Sequence, residues 1–275
     1  MIKSVAIQGI KGSFHHIVSQ EYFDDTTKVL ECLTFDQVVS SLIDKETDAV
    51  IMALENSIAG SIIPNYALID NSNLHIVGEH YLDIQHNLMA LPNQTIKDIK
   101  EVYSHPMALL QCKAFFRKHP HIKLVEDKDT AEVAQRIFNN KSKGVAAVAS
   151  TLAAKIFNLE ILASGIQTIE HNETRFVIVK RENHEIPEVE INKASLKFEL
   201  DHKRGSLATI LNVMSDCKMN LTKIQSLPKV DTPWKYAFFV DVTFDAYLDY
   251  DKAKSIMNIM AQDFKVLGEY KNAKL

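Results

Sequence analysis

Short apolar runs alternate with amphipathic segments from the N-terminus of the chain to about residue 180. The apolar runs have the length and residue types of buried strands. They fall at residues 5–7, 48–54, 102–103, 122–125 and 145–149. Between the first two runs, Phe14, Ile17 and Val18 share one face of a predicted helix. Strands that alternate with helices are typical of α/β proteins, so the pattern predicts a mainly parallel sheet.

Residues that favour helix N-termini stand where these helices are expected to begin. Thr34 and Gln37 have the spacing of a capping box. Pro106 is predicted at a first helical position, where its missing N–H costs nothing. Asp129 and Ser150 each precede an amphipathic segment and are predicted N-caps.

A second pattern begins after residues 181–188, a polar and charged stretch with a proline that predicts a linker. Beyond it, strands are predicted at residues 197–200, 220–227, 235–244 and 266–270, and helices at residues 206–217 and 249–264. Their order, βαββαβ, is that of the ferredoxin-like unit. The sequence therefore predicts two domains, residues 1–182 and residues 193–275.

The composition is that of an ordinary globular protein, with 46% hydrophobic and 24% charged residues in a chain of 275. The net charge is −4, and no stripe of lysine and arginine occurs, so nucleic-acid binding is not expected. No apolar run approaches the roughly 20 residues that span a bilayer, and no leader segment is recognised. We therefore expect a cytoplasmic protein without a membrane association.

The cysteines and histidines do not predict a disulfide framework or a metal site. Cys32, Cys112 and Cys217 lie far apart and form no C-x-x-C pair, which is typical of a reducing compartment. The eleven histidines lack acidic or cysteine partners at ligand spacing, so no metal is predicted.

Polar residues stand at predicted strand ends, where open α/β sheets bind ligands. Glu55, Asn56 and Ser57 follow the run at 48–54. A partly buried carboxylate at this point can act as an acid, and the alternative is that Asn56 and Ser57 cap the next helix. Ser13 begins the first helix after a turn with two glycines, which is either an anion site or a structural turn.

Two further constellations carry candidate chemistry. Ser104 and His105 stand at a strand end with Gln111 about two helical turns on, and His105 is either an acid/base group or a structural hydrogen-bonding residue. Thr174 and Arg175 begin the last predicted strand of the first domain. An arginine fixed on a strand suits carboxylate binding, and the alternative is a pair with an acidic neighbour.

The order and spacing of these motifs resemble those of the prephenate dehydratase family. The motifs are Glu55-Asn56-Ser57 with Gly60, Ser104-His105-Pro106 with Gln111-Cys112, and Asn172-x-Thr174-Arg175-Phe176. Gly205-Ser206-Leu207, residues 220–228 and residues 234–241 resemble the ACT regulatory domain of that enzyme. The resemblance implies a catalytic domain of two lobes, similar to type II periplasmic binding proteins, with a cleft between them and crossings near residues 78–85 and 161–169.

The resemblance also implies a reaction and roles for particular residues. Prephenate loses CO2 and water to give phenylpyruvate, and aromatisation drives the reaction without a cofactor. Thr174 is expected to hydrogen-bond to the departing hydroxyl and Arg175 to hold or orient the anionic substrate, with Glu55 as an alternative acid. The implied substrate-binding residues are Ser13, Asn56, Ser57, Ser104, Gln111 and Phe176.

The second domain is expected to bind L-phenylalanine as a feedback effector between the subunits of a homodimer or homotetramer. The implied effector residues are Gly205, Ser206, Leu207, Asn220, Leu221, Gln225 and Ser226. The family's Glu-Ser-Arg-Pro motif is Gln225-Ser226-Leu227-Pro228 here, so a charged pair is missing from the effector region.

Two other functions remain open at this point. Arogenate dehydratases act on a substrate with an amine, for which Glu55 could be the acidic partner. A non-catalytic module that senses an organic acid and an amino acid would have the same two domains.

Overall fold

The computed structural model of the chain describes residues 2–24, 26–183, 186–201, 203–229 and 235–274. His184 and Glu185 of the predicted linker lie outside the described residues, as does Trp234 of the motif that resembles an ACT domain.

Strands and helices alternate along the described residues. The strands are β1 (Ser4–Gln8), β2 (Lys28–Cys32), β3 (Ala49–Asn56), β4 (Gly60–Ser61), β5 (His75–Asp83), β6 (Asn87–Ala90), β7 (Glu101–Ser104), β8 (Lys123–Glu126), β9 (Val145–Ala149), β10 (Glu160–Ala163), β11 (Glu173–Lys180), β12 (Lys193–Glu199), β13 (Asn220–Pro228), β14 (Tyr236–Thr243) and β15 (Gln262–Tyr270). The helices are α1 (Phe14–Tyr22), α2 (Phe35–Ile43), α3 (Ile63–Asn71), α4 (Pro106–Gln111), α5 (Lys113–Phe116), α6 (Thr130–Asn140), α7 (Thr151–Ile156), α8 (Ser206–Asp216) and α9 (Tyr247–Met260). Short 3-10 helices lie at Ile96–Asp98 and Glu188–Glu190.

Two sheets of related topology form the two lobes of the first part of the chain. The first has the order β2-β1-β3-β11-β5, with β4 paired to β3. The second has the order β10-β6-β9-β7-β8. In each sheet the strand that opens a βαβ unit lies between two parallel partners: β1 between β2 and β3, and β7 between β8 and β9. The predicted α/β class is confirmed.

The predicted N-caps are confirmed by side-chain hydrogen bonds. Thr34 accepts from the N–H of Gln37 at the start of α2, and Asp129 accepts from two N–H groups at the start of α6. Ser150 accepts from the N–H of Ala153 at the start of α7.

The chain leaves the first sheet after β5 and enters the second sheet at β6. The first crossing between the lobes therefore lies at residues 84–86, later than most of the predicted range 78–85.

The C-terminal elements form a four-stranded sheet of order β13-β14-β12-β15. Helices α8 and α9 cover one face, where Ile210, Met214 and Tyr250 pack on Leu196 and Phe198. The predicted order βαββαβ is confirmed. Three bounds were wrong by four residues: β12 begins at Lys193, α9 ends at Met260, and β15 begins at Gln262.

The chain divides into two compact units by internal contacts: Met1–Gly60 with Tyr81–Phe176, and Ser61–His80 with Val177–Leu275. Residues 61–80, which include α3, therefore group with the four-stranded sheet. The limits 1–182 and 193–275 that the sequence suggests for the two domains stay a prediction.

Ion pairs join residues 61–80 to the four-stranded sheet. On the face of β12 that is opposite the helices, the Lys193 ammonium lies 2.8 and 2.9 Å from the two carboxylate oxygens of Glu79 in β5. Lys265 in β15 lies 2.7 Å from Asp70 in α3. Lys193 and Glu79 are buried with side-chain exposures of 4% and 0%. The buried ion pair between Lys193 and Glu79 thus helps to hold the unit together.

His15 is a buried histidine in the other unit. Its ring lies between Phe35 and Phe176, at centroid distances of 5.5 and 4.9 Å, and burial lowers its pKa from 6.5 to about 3. The folded protein therefore keeps this imidazole neutral at a pH where the unfolded chain protonates it.

The stability of the fold should consequently fall as the pH drops below 6.5. The unfolded chain binds a proton that the folded chain does not bind until about pH 3, at a cost of 1.36 kcal/mol per pH unit. Between pH 7 and pH 5 this single group should cost about 2 kcal/mol. Urea unfolding of the wild type and His15→Phe at both pH values should show that the variant lacks this loss. An equal loss in both proteins would assign the acid sensitivity to other groups.

Candidate active site

Asn56 holds the turn that follows β3. Its Oδ1 accepts hydrogen bonds from the backbone N–H groups of Ile58 and Ala59, at 3.0 and 2.8 Å. The predicted alternative was a cap on the next helix, but α3 begins after Ile62, and no side-chain hydrogen bond caps it. The side-chain oxygen of Asn56 is therefore committed to the local turn, and its amide nitrogen is left for other partners.

That amide nitrogen joins β3 to the start of β11. Asn56 Nδ2 donates to Asn172 Oδ1 at 2.7 Å and to Thr174 Oγ1 at 2.9 Å. Nearby, Ser57 donates its N–H to the Glu173 carbonyl and accepts the N–H of Glu173 on its hydroxyl. Two segments more than a hundred residues apart thus meet at the carboxyl end of β3.

The same group includes Gln111 of the second lobe and His86 of the first crossing between the lobes. Gln111 Oε1 lies 2.9 Å from Asn172 Nδ2 and 2.8 Å from His86 Nε2. A longer contact of 3.5 Å joins Gln111 Nε2 to Asn56 Oδ1. We call Asn56, Gln111, Asn172, Thr174 and His86 the amide network. It connects residues from both lobes of the fold.

Three of these five residues are sequence candidates, and two were not assigned a role. Asn56, Gln111 and Thr174 are brought together. Asn172 stands in the motif before Thr174 but had no role of its own. His86 lies in the first crossing between the lobes, and its position beside the crossing predicted near residues 78–85 was the one signal that could have found it. Burial lowers the pKa of His86 below its ordinary value.

Thr174 and Arg175 are neighbours in β11, so their side chains point to opposite faces of the strand. Thr174 belongs to the amide network, whereas Arg175 is 3% exposed on the other face. Phe176 is also buried, against His15. Glu55 is half-buried and directly precedes Asn56.

Other sequence candidates have local hydrogen bonds. Ser104 is fully buried, and its hydroxyl donates to the Val148 carbonyl at 2.7 Å within the second sheet. His105 accepts the N–H of Met107 and caps α4, which agrees with the structural alternative. Ser13 is buried and accepts the N–H of His16 at the start of α1. The substrate-binding roles of Ser13 and Ser104 stay predictions that these contacts do not support.

The glycine turn before α1 touches the second lobe. The Ser150 hydroxyl donates to the Gly12 carbonyl at 2.6 Å. A Cβ on Gly12 would lie 2.9 Å from Ala153 Cα, and the φ of +94° is unfavourable for other residues. Glycine is therefore required here by close packing of the turn before α1 against α7.

A cavity of about 310 Å³ adjoins the amide network. Its lining includes Gln111, apolar side chains such as Met107 and Ile58, and two cations, Lys113 and Arg117. An apolar wall with cations suits an organic anion. No three His, Cys, Asp or Glu side chains are grouped to hold a metal ion in the part of the chain that the structure describes.

A smaller cavity of about 130 Å³ lies in the other unit, beside the N-terminus of α8. The predicted effector residues Ser206 and Leu207 line it, with the charged groups Asp201, Lys203 and Lys235. The remaining lining residues are Leu200, Tyr236 and Phe238. The predicted effector residues of β13, which are Asn220, Leu221, Gln225 and Ser226, do not belong to this lining.

None of the helices in the described residues has the length and apolar sequence that a membrane span requires.

Comparisons with known proteins agree with this architecture. The family model described as "Prephenate dehydratase" matches residues 5–184. A bifunctional chorismate mutase/prephenate dehydratase of Buchnera aphidicola is 32% identical over 97% of this chain and 70% of its own length. "Arogenate dehydratase/prephenate dehydratase 2, chloroplastic" of Arabidopsis thaliana is 34% identical over 97% of this chain and 72% of its own length.

Solved structures share the fold over nearly the whole chain. One is described as GqqA, a novel type of quorum quenching acylase; it is 27% identical, with a TM-score of 0.89 over 98% of both chains. Another is described as prephenate dehydratase from Arthrobacter aurescens in complex with L-Phe; it is 23% identical, with a TM-score of 0.89 over 98% of this chain and 90% of that chain. By its family match and its relatives, the chain belongs to the prephenate dehydratase family.

Proposed function

We propose that this chain converts prephenate to phenylpyruvate, CO2 and water, with Thr174 as the group that assists departure of the hydroxyl. The observation that carries the assignment is the bond from Asn56 Nδ2 to Thr174 Oγ1. The Thr174 oxygen is an acceptor in this bond, so its own proton is available to a substrate oxygen.

The reaction needs no change of oxidation state in the protein. The C–O bond to the ring hydroxyl breaks and its electron pair leaves with the oxygen, which takes one proton and departs as water. The electron pair of the bond to the ring carboxylate enters the ring as CO2 leaves, and the ring becomes aromatic. A hydrogen bond from Thr174 to the departing oxygen stabilises the negative charge that develops there as the C–O bond breaks. Because this charge is absent from the bound substrate, the hydrogen bond stabilises the transition state more than the substrate complex.

The cavity beside the amide network supports an anionic substrate. Prephenate carries two carboxylates on an apolar ring, and the cavity combines apolar side chains with Lys113 and Arg117. We propose that these cations attract the carboxylates. Gln111 lines the same cavity and is bonded to Asn172, which links substrate binding to the network around Thr174.

Different roles are proposed for the remaining sequence candidates Arg175, Glu55 and Ser57. We propose that Arg175, buried on the opposite face of β11, orients the start of the strand and adds positive charge near the anionic substrate. Glu55 is the alternative acid, and Ser57 ties the loop after β3 to β11.

Arogenate is the second candidate substrate, because the Arabidopsis relative is named for both activities. Arogenate carries an ammonium group where prephenate carries a ketone. No carboxylate is among the described residues that line the cavity, so an ammonium would lie near two cations without a nearby anion there. This charge distribution favours prephenate.

Steady-state turnover of both compounds by the purified chain tests the assignment. We expect kcat/KM for prephenate to exceed that for arogenate at least tenfold, which corresponds to about 1.4 kcal/mol between the transition states. The reverse ratio would assign arogenate, with Glu55 as the partner of the amine. Binding of either compound without turnover would identify a sensing module.

We further propose that L-phenylalanine binds the C-terminal part of the chain and inhibits the enzyme. The cavity at α8 supports this, because Lys203 and Lys235 suit a carboxylate, Asp201 suits an ammonium, and Leu207 and Phe238 suit an aromatic ring. The related structure from Arthrobacter aurescens is described as a complex with L-Phe. A homodimer or homotetramer stays part of the proposal, and light scattering of the purified chain measures it.

Substitution of Ser206 by tryptophan should separate inhibition from catalysis. The indole should fill most of the 130 Å³ cavity, so the concentration of L-phenylalanine for half inhibition should rise at least tenfold while basal kcat is kept. Ala208→Trp is the matched control, because Ala208 is exposed on the same helix and does not line the cavity. Equal inhibition of both variants would place the effector site elsewhere.

A further inference from the structure

We propose that His86 is a positioning residue: it holds Gln111 and Asn172 in the orientation that Asn56 requires, and so keeps the Thr174 hydroxyl proton directed to the substrate. The inference rests on the proposed function for its catalytic consequence. Its structural part concerns which atom donates in each bond and can be tested without a substrate.

The direction is set at one end by the backbone. Asn56 Oδ1 accepts from the N–H groups of Ile58 and Ala59, and a backbone N–H can only donate. The oxygen of Asn56 is therefore identified by its partners, and the other atom of the amide is the donor. That donor, Nδ2, faces Asn172 and Thr174.

The orientation then passes from one amide to the next. Because Asn56 Nδ2 donates, the Asn172 atom that faces it is the acceptor Oδ1, and Asn172 Nδ2 must point to Gln111. The Gln111 atom at that contact is accordingly the acceptor Oε1. A single flipped amide would place two donors or two acceptors face to face inside the site, where water does not compensate.

His86 closes the network at its other end. Gln111 Oε1 is an acceptor, so His86 Nε2, 2.8 Å away, must carry the proton. His86 Nδ1 is buried and has no hydrogen-bond partner among the described residues, which fits an unprotonated nitrogen. The Phe14 ring lies nearly perpendicular to the imidazole, with 5.7 Å between the ring centroids. The geometry thus assigns the neutral Nε2–H tautomer to His86.

Without His86, Gln111 Oε1 loses one of its two donors, and only the long 3.5 Å contact of Nε2 with Asn56 Oδ1 opposes rotation of the amide. Rotation would present Gln111 Nε2 to Asn172 Nδ2 and displace Asn172. Asn56 Oδ1 stays held by the N–H groups of Ile58 and Ala59, but Asn56 Nδ2 loses the Asn172 acceptor beside Thr174. The Thr174 hydroxyl would then be free to donate within the protein instead of to the substrate. The expected loss is in kcat, because ground-state binding in the adjacent cavity does not depend on the direction of the Thr174 proton.

Two variants separate this role from a general structural role. His86→Leu removes the donor and should lower kcat with prephenate by up to about 100-fold, with KM changed less than about threefold. His86→Gln can place an amide N–H near the position of Nε2, so it should recover at least a tenth of the wild-type kcat. In a Thr174→Val background, His86→Leu should have little further effect on kcat, because the group that it orients is absent.

The tautomer provides a readout that does not involve activity. With ¹⁵N-labelled histidine in the full chain, the His86 imidazole, assigned by its disappearance in His86→Gln, should show a protonated Nε2 and an unprotonated Nδ1 at pH 7. A protonated Nδ1 with a bare Nε2 would overturn the proposal whatever the substrate proves to be. If the wild type turns over neither substrate while the tautomer is as assigned, the proposed function fails and the hydrogen-bond assignment stands.

An unchanged kcat in His86→Leu would also overturn the proposal. An equal loss of kcat in His86→Gln and His86→Leu at equal stability would overturn it as well, because the N–H donor at this position would then not determine kcat. Circular dichroism and urea unfolding of each variant exclude loss of the fold as the cause.

Discussion

Thr174→Val should lower kcat with prephenate by a factor of about 10²–10⁴, the range expected when a group that donates to a leaving oxygen is removed. Valine keeps the shape of the side chain and removes only the hydroxyl. KM should change little, because the bond to the departing oxygen strengthens as the reaction proceeds and contributes least in the bound substrate. Steady-state kinetics on phenylpyruvate formation measure both constants.

The fold should survive this substitution. Asn56 Nδ2 loses one acceptor but keeps Asn172 Oδ1 at 2.7 Å, so the expected loss in the free energy of unfolding is about 1–2 kcal/mol. Thr174→Ser, which keeps the hydroxyl, is the matched control and should stay within about tenfold of the wild-type kcat. Near-normal turnover by Thr174→Val would show that another group assists the departing hydroxyl.

Lys193→Met should destabilise the unit formed by residues 61–80 and 177–275 by about 3–5 kcal/mol. Lys193 and Glu79 are almost completely buried and bonded through both carboxylate oxygens. The variant leaves Glu79 as a buried carboxylate that has lost this ammonium, although the N–H of Ala273 still donates to it at 3.2 Å. Urea unfolding at pH 7 gives the change in the free energy of unfolding.

The double variant Lys193→Met/Glu79→Leu distinguishes the cost of a buried carboxylate that has lost its ammonium partner from the cost of lost packing. It should recover most of the stability, because a buried ion pair can be replaced by apolar side chains of similar size at little cost. If the double variant is as unstable as Lys193→Met alone, the ion pair is not the reason for the loss.

The same ion pair marks the limit of what the sequence pattern could predict about the fold. Lys193, Ser195, Lys197 and Glu199 alternate with Ala194, Leu196 and Phe198, which is typical of a strand with one face in water. In the structure all seven residues of β12 are buried. Two partners of the polar face, Glu79 in β5 and Asp70 in α3, lie more than a hundred residues earlier in the chain. Alternation alone carries no information about them.

Features that depend on local hydrogen bonds were predicted more reliably than features that depend on contacts distant in the sequence. The N-caps at Thr34, Asp129 and Ser150 depend on hydrogen bonds within three residues, and all three are present. The end of α9 was misjudged because the apolar pattern continues through Phe264 without glycine or proline. Pairing of β15 with β12 then decides the conformation of residues 262–264, which no local rule could predict.

For the site, motif spacing predicted the right neighbourhood but not the bonds. Asn56, Gln111 and Thr174 were candidates and do meet. His86 was missed because a lone histidine beside a crossing carries no motif, and its importance follows only from its contact with Gln111. Ser104 had the expected position at a strand end, yet its side chain turns into the second sheet.

The role of Thr174 in catalysis is tested most directly by the formation of phenylpyruvate from prephenate by the purified wild-type chain at neutral pH, beside Thr174→Val under identical conditions. We expect enzymatic turnover by the wild type and a loss of at least a hundredfold in the variant, with the fold of both intact. Equal turnover by the two proteins, or none by the wild type, would contradict that role.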